Sequence, residues 1–234
     1  MFPLTLENAT VRQRGKILVG PVNLVLDGPG VTIVIGPNGA GKTTFLRMLH
    51  GIAKQRSGTL KWACPEKVAR ARQAFVFQHP IMLRRSVLGN LIYPLCVSGV
   101  ARKDAVKRAV EAADNVGLGT MLHRAAPQLS GGERQKLALA RALISKPDVV
   151  FLDEPCASLD GCAIREIEAI LRDAVAAGTR LIMSTHDLGQ ARRLATEVLF
   201  LFKGKVHEHS QAQIFFTHPQ TLQADAFLKG DIVE

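Results

Sequence analysis

The chain has 234 residues, 47% of them apolar and 21% charged, with a formal net charge of +10. That size buries a sizeable core without metals or cross-links, and the composition excludes a disordered chain or a fibrous repeat. The charge selects no partner by itself, because nucleic acid, an anionic membrane face, a phosphate ligand and ordinary solvation all fit it.

The N-terminus, MFPLTLENATVRQRGK, breaks any apolar run with polar and charged residues, so no export signal is expected. Leu4 and Leu6, then Val22, Leu24 and Leu26, alternate as in half-buried antiparallel strands. After the turn Gly28-Pro29-Gly30, residues 31–35 form an apolar run, as do 74–77, 149–152 and 181–183. Such runs without alternation predict parallel strands buried on both faces. Residues 79–128 are punctuated by Pro80, Pro94 and Pro127 around a basic, alanine-rich helix over 102–116, which reads as an inserted helical subdomain. The uncharged stretch 86–101 contains Gly89, Asn90 and Pro94 and falls short of the roughly 20 apolar residues of a membrane span. A further helix is expected after Asp160 as N-cap, with apolar Ile164, Ile167, Leu171 and Val175 and a stop near Gly178. Strands alternating with helices imply an α/β sheet.

The first buried strand runs into Gly36-Pro37-Asn38-Gly39-Ala40-Gly41-Lys42-Thr43-Thr44, a complete phosphate-binding loop opening a helix. Its glycines let backbone N–H groups curl round a phosphate, Lys42 reaches the β and γ oxygens, and the Thr43 hydroxyl suits Mg²⁺. The run VVFLDE ends a buried strand at Asp153 and Glu154. Neighbouring strand side chains point opposite ways, so Asp153 is assigned to the Mg²⁺ shell and Glu154 to the base that polarises an attacking water. Ser130-Gly131-Gly132 before Glu133 starts a helix with Leu137, Ala140, Leu143 and Ile144, and offers a second set of N–H groups and a hydroxyl to an anion.

LSGGERQ followed closely by the Asp-Glu strand resembles the signature of the ATP-binding cassette family, and the likeness runs from end to end. The resemblance implies a P-loop NTPase (RecA-like) core with an N-terminal antiparallel β subdomain and an inserted α-helical signature subdomain. Residues 1–234 would form one domain, with 1–78 and 132–234 as the nucleotide-binding core and 79–131 as the helical subdomain. Gln78 resembles the family's Q-loop glutamine, which touches Mg²⁺ and the attacking water. Ser158-Leu159-Asp160 resembles the D-loop that crosses a dimer interface, and His186 the switch histidine on the γ-phosphate. ATP and Mg²⁺ are therefore expected, with Thr43, Gln78 and Asp153 holding the metal and Lys42, Gln78, Glu154 and His186 serving hydrolysis. Members usually stack an aromatic residue on adenine, but residues 11–14 read Val-Arg-Gln-Arg. Arg12 is the candidate to stack through its guanidinium plane, against the plainer reading of an exposed strand arginine.

The short spacing between Gln78 and Ser130 leaves no room for the coiled coil of chromosome-type members, and a single cassette argues against the translational type and a fused exporter. Residues 76–87 (VFQHPIMLRRSV) and 185–194 (THDLGQARRL), with the strand over 198–202, resemble the tungstate and related oxyanion importer group. The expectation is an ATPase homodimer at the cytoplasmic face of the membrane, working with integral membrane permease subunits and indirectly with a solute-binding protein. Phosphate, molybdate or an amino acid are alternative cargoes. A soluble ATPase linked to nucleic acid is the reading from another class. With one Trp, one Tyr and no aromatics interleaved with Lys and Arg, no nucleic acid is expected. Cys64, Cys96, Cys156 and Cys162 form no C-x-x-C pair, which suggests reduced thiols rather than disulfides or zinc. His207 and His209 share a strand face without a third ligand and read as surface residues.

Overall fold

The computed structural model describes residues 1–55 and 57–231. In chain order β1 (Leu4–Gln13), β2 (Lys16–Leu26), β3 (Val31–Ile35), α1 (Lys42–His50), β4 (Ser57–Trp62), α2 (Glu66–Ala71) and β5 (Gln73–Val76) lead into α3 (Val87–Val97) and α4 (Arg102–Asn115). Then follow α5 (Gly131–Leu143), β6 (Val149–Asp153), α6 (Gly161–Ala176), β7 (Arg180–Ser184), α7 (Leu188–Leu194), β8 (Glu197–Phe202), β9 (Lys205–Gln211), α8 (Ala212–Thr217) and α9 (Leu222–Lys229). The strands form an antiparallel sheet, β2-β1-β4, and a larger sheet, β5-β6-β7-β3-β8-β9, parallel except at β9.

The absence of alternation in the central strands has a direct cause, since both faces of the larger sheet are covered. On β6, Val149 and Phe151 enter the core shared with the antiparallel sheet and α1, while Val150 and Leu152 enter the core on the opposite face. On β8 Leu199 and Leu201 divide from Val198, Phe200 and Phe202 in the same way. Phe45, Phe151 and Phe200 are fully buried, each contributing roughly 1.5–3 kcal/mol by leaving water. A third core joins α3 and α4 to Leu137 and Ala140 of α5 and to Ile144, which caps it, while Ala138 and Leu139 of α5 pack instead against the larger sheet. One helix thus serves both units, with neighbouring residues facing different cores.

The first strand departs from simple alternation. Leu4 and Leu6 point inward, but so do Ala9 and Val11, because the register shifts between Leu6 and Ala9 around Asn8, whose φ is 50°. A bulge inserts one residue and reverses the inward parity beyond it.

His50 ends α1 between the rings of Phe75 and Phe151, edge-on to both, and its Nδ1 has no partner among the described residues. Burial, helped by the charge of Arg70, lowers its pKa from 6.5 to about 4. Between those values the unfolded chain takes up a proton that the native chain refuses, so stability is complete above pH 6.5 and falls as the pH drops towards 4. Urea midpoints measured at pH 7 and pH 5 should show this loss in the wild type. His50→Phe, which keeps the ring, should abolish about 1 kcal/mol of it after allowance for solvent screening.

Candidate active site

β5, β6, β7 and β3 are adjacent and parallel, so their C-terminal ends lie along one edge of the sheet, where open α/β folds bind ligands. The sequence places Gln78 two residues beyond β5, Asp153 and Glu154 at the end of β6, His186 two residues beyond β7 and Gly36 directly after β3.

The loop from Gly36 to Gly41 turns into α1 with Ala40 N–H donating to the Pro37 carbonyl at 3.1 Å. At Gly36, with φ of 148°, a Cβ would collide with the Leu201 carbonyl; at Gly41, with φ of 101°, it would come within 2.8 Å of Val19 Cγ2. Only glycine fits this close approach. The β8–β9 turn braces the loop from behind, Gly204 N–H donating to the Ala40 carbonyl at 3.1 Å. No side chain among the described residues caps α1, and no acidic residue lies in its first turn. The N–H groups of Lys42, Thr43 and Thr44 are therefore left for an external anion. Lys42 folds back onto the carbonyls of Gly36 and Pro37 at 2.9 and 3.3 Å. Burial pulls its pKa below the usual lysine value, against the attraction of Glu154 and Asp153. Asn38 and Gly39 are exposed at the rim of this cradle.

Thr43 Oγ1 donates to Asp153 Oδ1 at 2.9 Å, and Ser184 Oγ donates to the same oxygen at 2.8 Å. Both recorded bonds of this carboxylate fall on Oδ1, so Oδ2 and the Thr43 lone pairs remain as hard oxygen donors that fit Mg²⁺. Glu154 is aimed by a different device from strand alternation: β6 ends at Asp153, and Glu154 adopts a φ of 46°. Its N–H reaches both the carbonyl and the hydroxyl of Ser184 at 3.1 Å. Its Oε2 lies 3.1 Å from His186 Nδ1 and 3.4 Å from Gln78 Nε2. Three residues distant in sequence thus meet at one carboxylate oxygen. His186 is steadied from the helix that follows it, because Asp187 caps α7 and Arg193 forms a forked ion pair with buried Glu168 of α6.

The second glycine-rich helix start is built differently. Ser130 Oγ accepts from Glu133 N–H at 3.3 Å, and Glu133 returns a bond to Ser130 N–H at 2.7 Å, a reciprocal capping box. The bond from Ser130 N–H, ahead of the nearby cations, holds the Glu133 carboxyl below its ordinary range. The hydroxyl proton of Ser130 and the N–H groups of Gly131 and Gly132 stay uncommitted. Ser130 is exposed and lines a surface hollow with Ser158, Leu159 and Asp160, to which no residue of 36–44 contributes. Arg12 is exposed and pairs with Ile17 on the hairpin whose Leu18 and Val19 pack on Gly41, so it borders the loop. His207 packs edge-on against Phe200 and Phe202, and His209 Nε2 lies 3.0 Å from Glu197. The Cys156 thiol is pushed up to about 11, mainly by burial.

Sequence reasoning missed Ser184 and the Glu168–Arg193 pair. A hydroxyl closing the apolar run Leu181-Ile182-Met183 was the one available signal for Ser184, whereas the ion pair joins residues whose proximity exists only in the fold.

Residues 19–157 match the ABC transporter family. The arginine/ornithine transport ATP-binding protein AotP of Pseudomonas aeruginosa is 31% identical over 99% of this chain and all of its own length. The tungstate uptake system ATP-binding protein TupC of Peptoclostridium acidaminophilum is 36% identical over 88% of this chain and 97% of its own. The solved structure of cbiO1 from Clostridium perfringens, part of the ABC transporter complex cbiONQ, superposes with a TM-score of 0.83 at 24% identity, covering 97% of this chain and 95% of that one. No described helix is long and apolar enough to cross a membrane. With its phosphate cradle, paired carboxylates and signature helix on a P-loop NTPase fold, the chain belongs to the ABC transporter family and is an ATPase.

Proposed function

We propose that this chain is the ATP-binding subunit of an importer, in which two copies close head to tail over ATP and drive integral permease subunits from the cytoplasmic face of the membrane. The observation that carries the reading is the meeting of Gln78 and His186 at Glu154 Oε2, beside an uncapped helix start holding a desolvated lysine. Residues 36–44 bind the phosphates, with Lys42 on the β and γ oxygens. Glu154 takes the proton from the attacking water, His186 and Gln78 orient it, and His186 contacts the γ-phosphate. Thr43, Asp153 and Gln78 would hold Mg²⁺, which would supply positive charge against the phosphate oxygens. Arg12 borders the base. Within one domain, residues 1–78 and 132–234 form the nucleotide-binding core and residues 79–131 the helical subdomain.

Two features support the dimer. Ser130, Gly131 and Gly132 keep donors free in a hollow that no residue of 36–44 lines, and such donors gain charge-assisted hydrogen bonds from an anion brought by another molecule. Ser158, beside them, is held at a φ of 62°. For the permease, a groove of about 400 Å³ beside Gln78 is lined by Phe77, Pro80, Ile81, Tyr93, Pro94 and Arg141, with Ile81 77% exposed. Met82, by contrast, packs inward between two cores, so Ile81 and Arg85 are the docking residues. Arg85 lies over the Tyr93 ring at 5.5 Å. An oxyanion such as tungstate is the proposed cargo, delivered by a solute-binding protein; TupC, at 36% identity, supports it alongside the segments 76–87 and 185–194.

Glu154→Gln should keep ATP affinity while single-turnover hydrolysis falls by about 10²–10⁴, and ATP should then trap the dimer; hydrolysis at the wild-type rate would remove Glu154 from the base role. Ser130→Arg and Lys42→Ala should each be inactive alone, yet a verified heterodimer of the two has one intact composite site and should hydrolyse ATP. No hydrolysis there, with one-lesion linked dimers active, would reject cross-subunit completion. Ile81→Glu should lower tungstate uptake and permease-stimulated ATPase activity about ten-fold without changing nucleotide affinity; unaltered uptake would exclude this groove as the dock.

A further inference from the structure

Ser184 closes β7 and is 0% exposed, following Leu181, Ile182 and Met183 in a fully buried strand. A hydroxyl there is costly unless its bonds are made, and this one makes both at the ends of the two carboxylate residues. It donates to Asp153 Oδ1 at 2.8 Å and accepts from Glu154 N–H at 3.1 Å. We propose that Ser184 is a positioning residue for hydrolysis, whose single hydroxyl sets the Asp153 carboxylate for the metal and the Glu154 backbone for the water.

The fold does not need this hydroxyl to join β6 to β7. Glu154 N–H also reaches the Ser184 carbonyl at 3.1 Å, and the ladder continues through Leu152 and Met183. What the hydroxyl adds is direction. Together with Thr43 it saturates Asp153 Oδ1 from two sides, which fixes the rotation of the carboxylate and reserves Oδ2. Its bond from Glu154 N–H falls at the one residue of the β6 end that departs into positive φ, at 46°. The resulting chain, Glu154 N–H to Ser184 O–H to Asp153, polarises each bond in turn. Removing the oxygen therefore leaves Asp153 held by Thr43 alone and the Glu154 turn held by one acceptor instead of two. Neither lost bond is made to residues 36–44 themselves, so nucleotide binding without metal should persist.

This inference rests on the roles proposed above for Asp153 and Glu154. The experiment compares Ser184→Ala and Ser184→Thr with wild type in three measurements: turnover, Mn²⁺ affinity by electron paramagnetic resonance in the presence of a non-hydrolysable ATP analogue, and nucleotide affinity in EDTA. A hydrogen bond to a charged group corresponds to roughly 10–100-fold in rate or affinity. Ser184→Ala should lose about that much turnover at unchanged KM, bind Mn²⁺ more weakly and bind nucleotide normally in EDTA, and Ser184→Thr should recover most of both losses. The inference is overturned if the alanine variant keeps wild-type turnover or wild-type Mn²⁺ affinity, or if threonine is as impaired as alanine. If the alanine protein does not bind nucleotide in EDTA, Ser184→Cys, of similar volume and weaker hydrogen bonding, carries the same expectations. An active Glu154→Gln would instead sink the base assignment itself, whatever Ser184 does.

Discussion

The site depends on the parallel register of β6 against β7 and β3. Asp153 pairs with Ser184, and Ser184 with Val34, so three strand ends stop level with one another. The same register is enforced from inside the sheet, because Val149 and Phe151 belong to one core and Val150 and Leu152 to the other. A slip of one residue would send each side chain to the wrong face. Core packing and catalytic alignment are therefore one constraint, and the active edge inherits its precision from buried aliphatic and aromatic side chains that touch no ligand.

At that edge the two glycine-rich helix starts solve opposite problems. α1 leaves its first N–H groups without a side-chain cap and brings a buried ammonium close to two carboxylates, an arrangement whose electrostatics are completed by a phosphate. α5 satisfies two donors with its own Ser130 and Glu133 and so remains a stable helix when nothing is bound. The left-handed residues Glu154 and Ser158 concentrate nearby. Such conformations cost about 1–3 kcal/mol each and persist where the surroundings over-determine them. At Glu154 that support comes from Ser184 of β7, whose carbonyl and hydroxyl both accept from its N–H.

The parts legible in the sequence were those written contiguously. The phosphate loop, the run ending at Asp153 and Glu154, the signature segment and the apolar central strands each declare themselves within a few residues, because loop geometry and double burial act locally on composition. The N-cap at Asp160 was legible for the same reason, its carboxylate accepting from Cys162 and Ala163 N–H. What local pattern did not reveal was direction. Strand alternation suggested why Asp153 and Glu154 differ, but the turn at Glu154 depends on acceptors 30 residues away on β7. The reversal of parity at Asn8 is likewise invisible until β1 finds its partners. Ile81 and Met82 are neighbours of similar apolar character, yet Ile81 is exposed while Met82 packs against two cores, a difference made only by the fold.

The segment after Gln78 is tied into the helical unit. From Gln78 the chain passes through Ile81 and Met82 to buried Asn90, whose amide donates to the Leu83 and Ser86 carbonyls and whose oxygen accepts from Leu83 N–H. Arg141 of α5 fastens the same stretch, donating to the Ile81 carbonyl at 2.9 Å and to Asn90 at 3.3 Å. The contact from Gln78 to Glu154 is long at 3.4 Å, while beyond it Ile81 and Leu83 are held by hydrogen bonds and Met82 lies between two cores. On the roles proposed above for Gln78 and the groove beside Ile81, a change at the γ-phosphate is met first at Gln78 and passes to α3 through the segment fastened by Asn90 and Arg141. Compliance at one contact and rigidity behind it give a binding event at the sheet edge a defined direction in which to act.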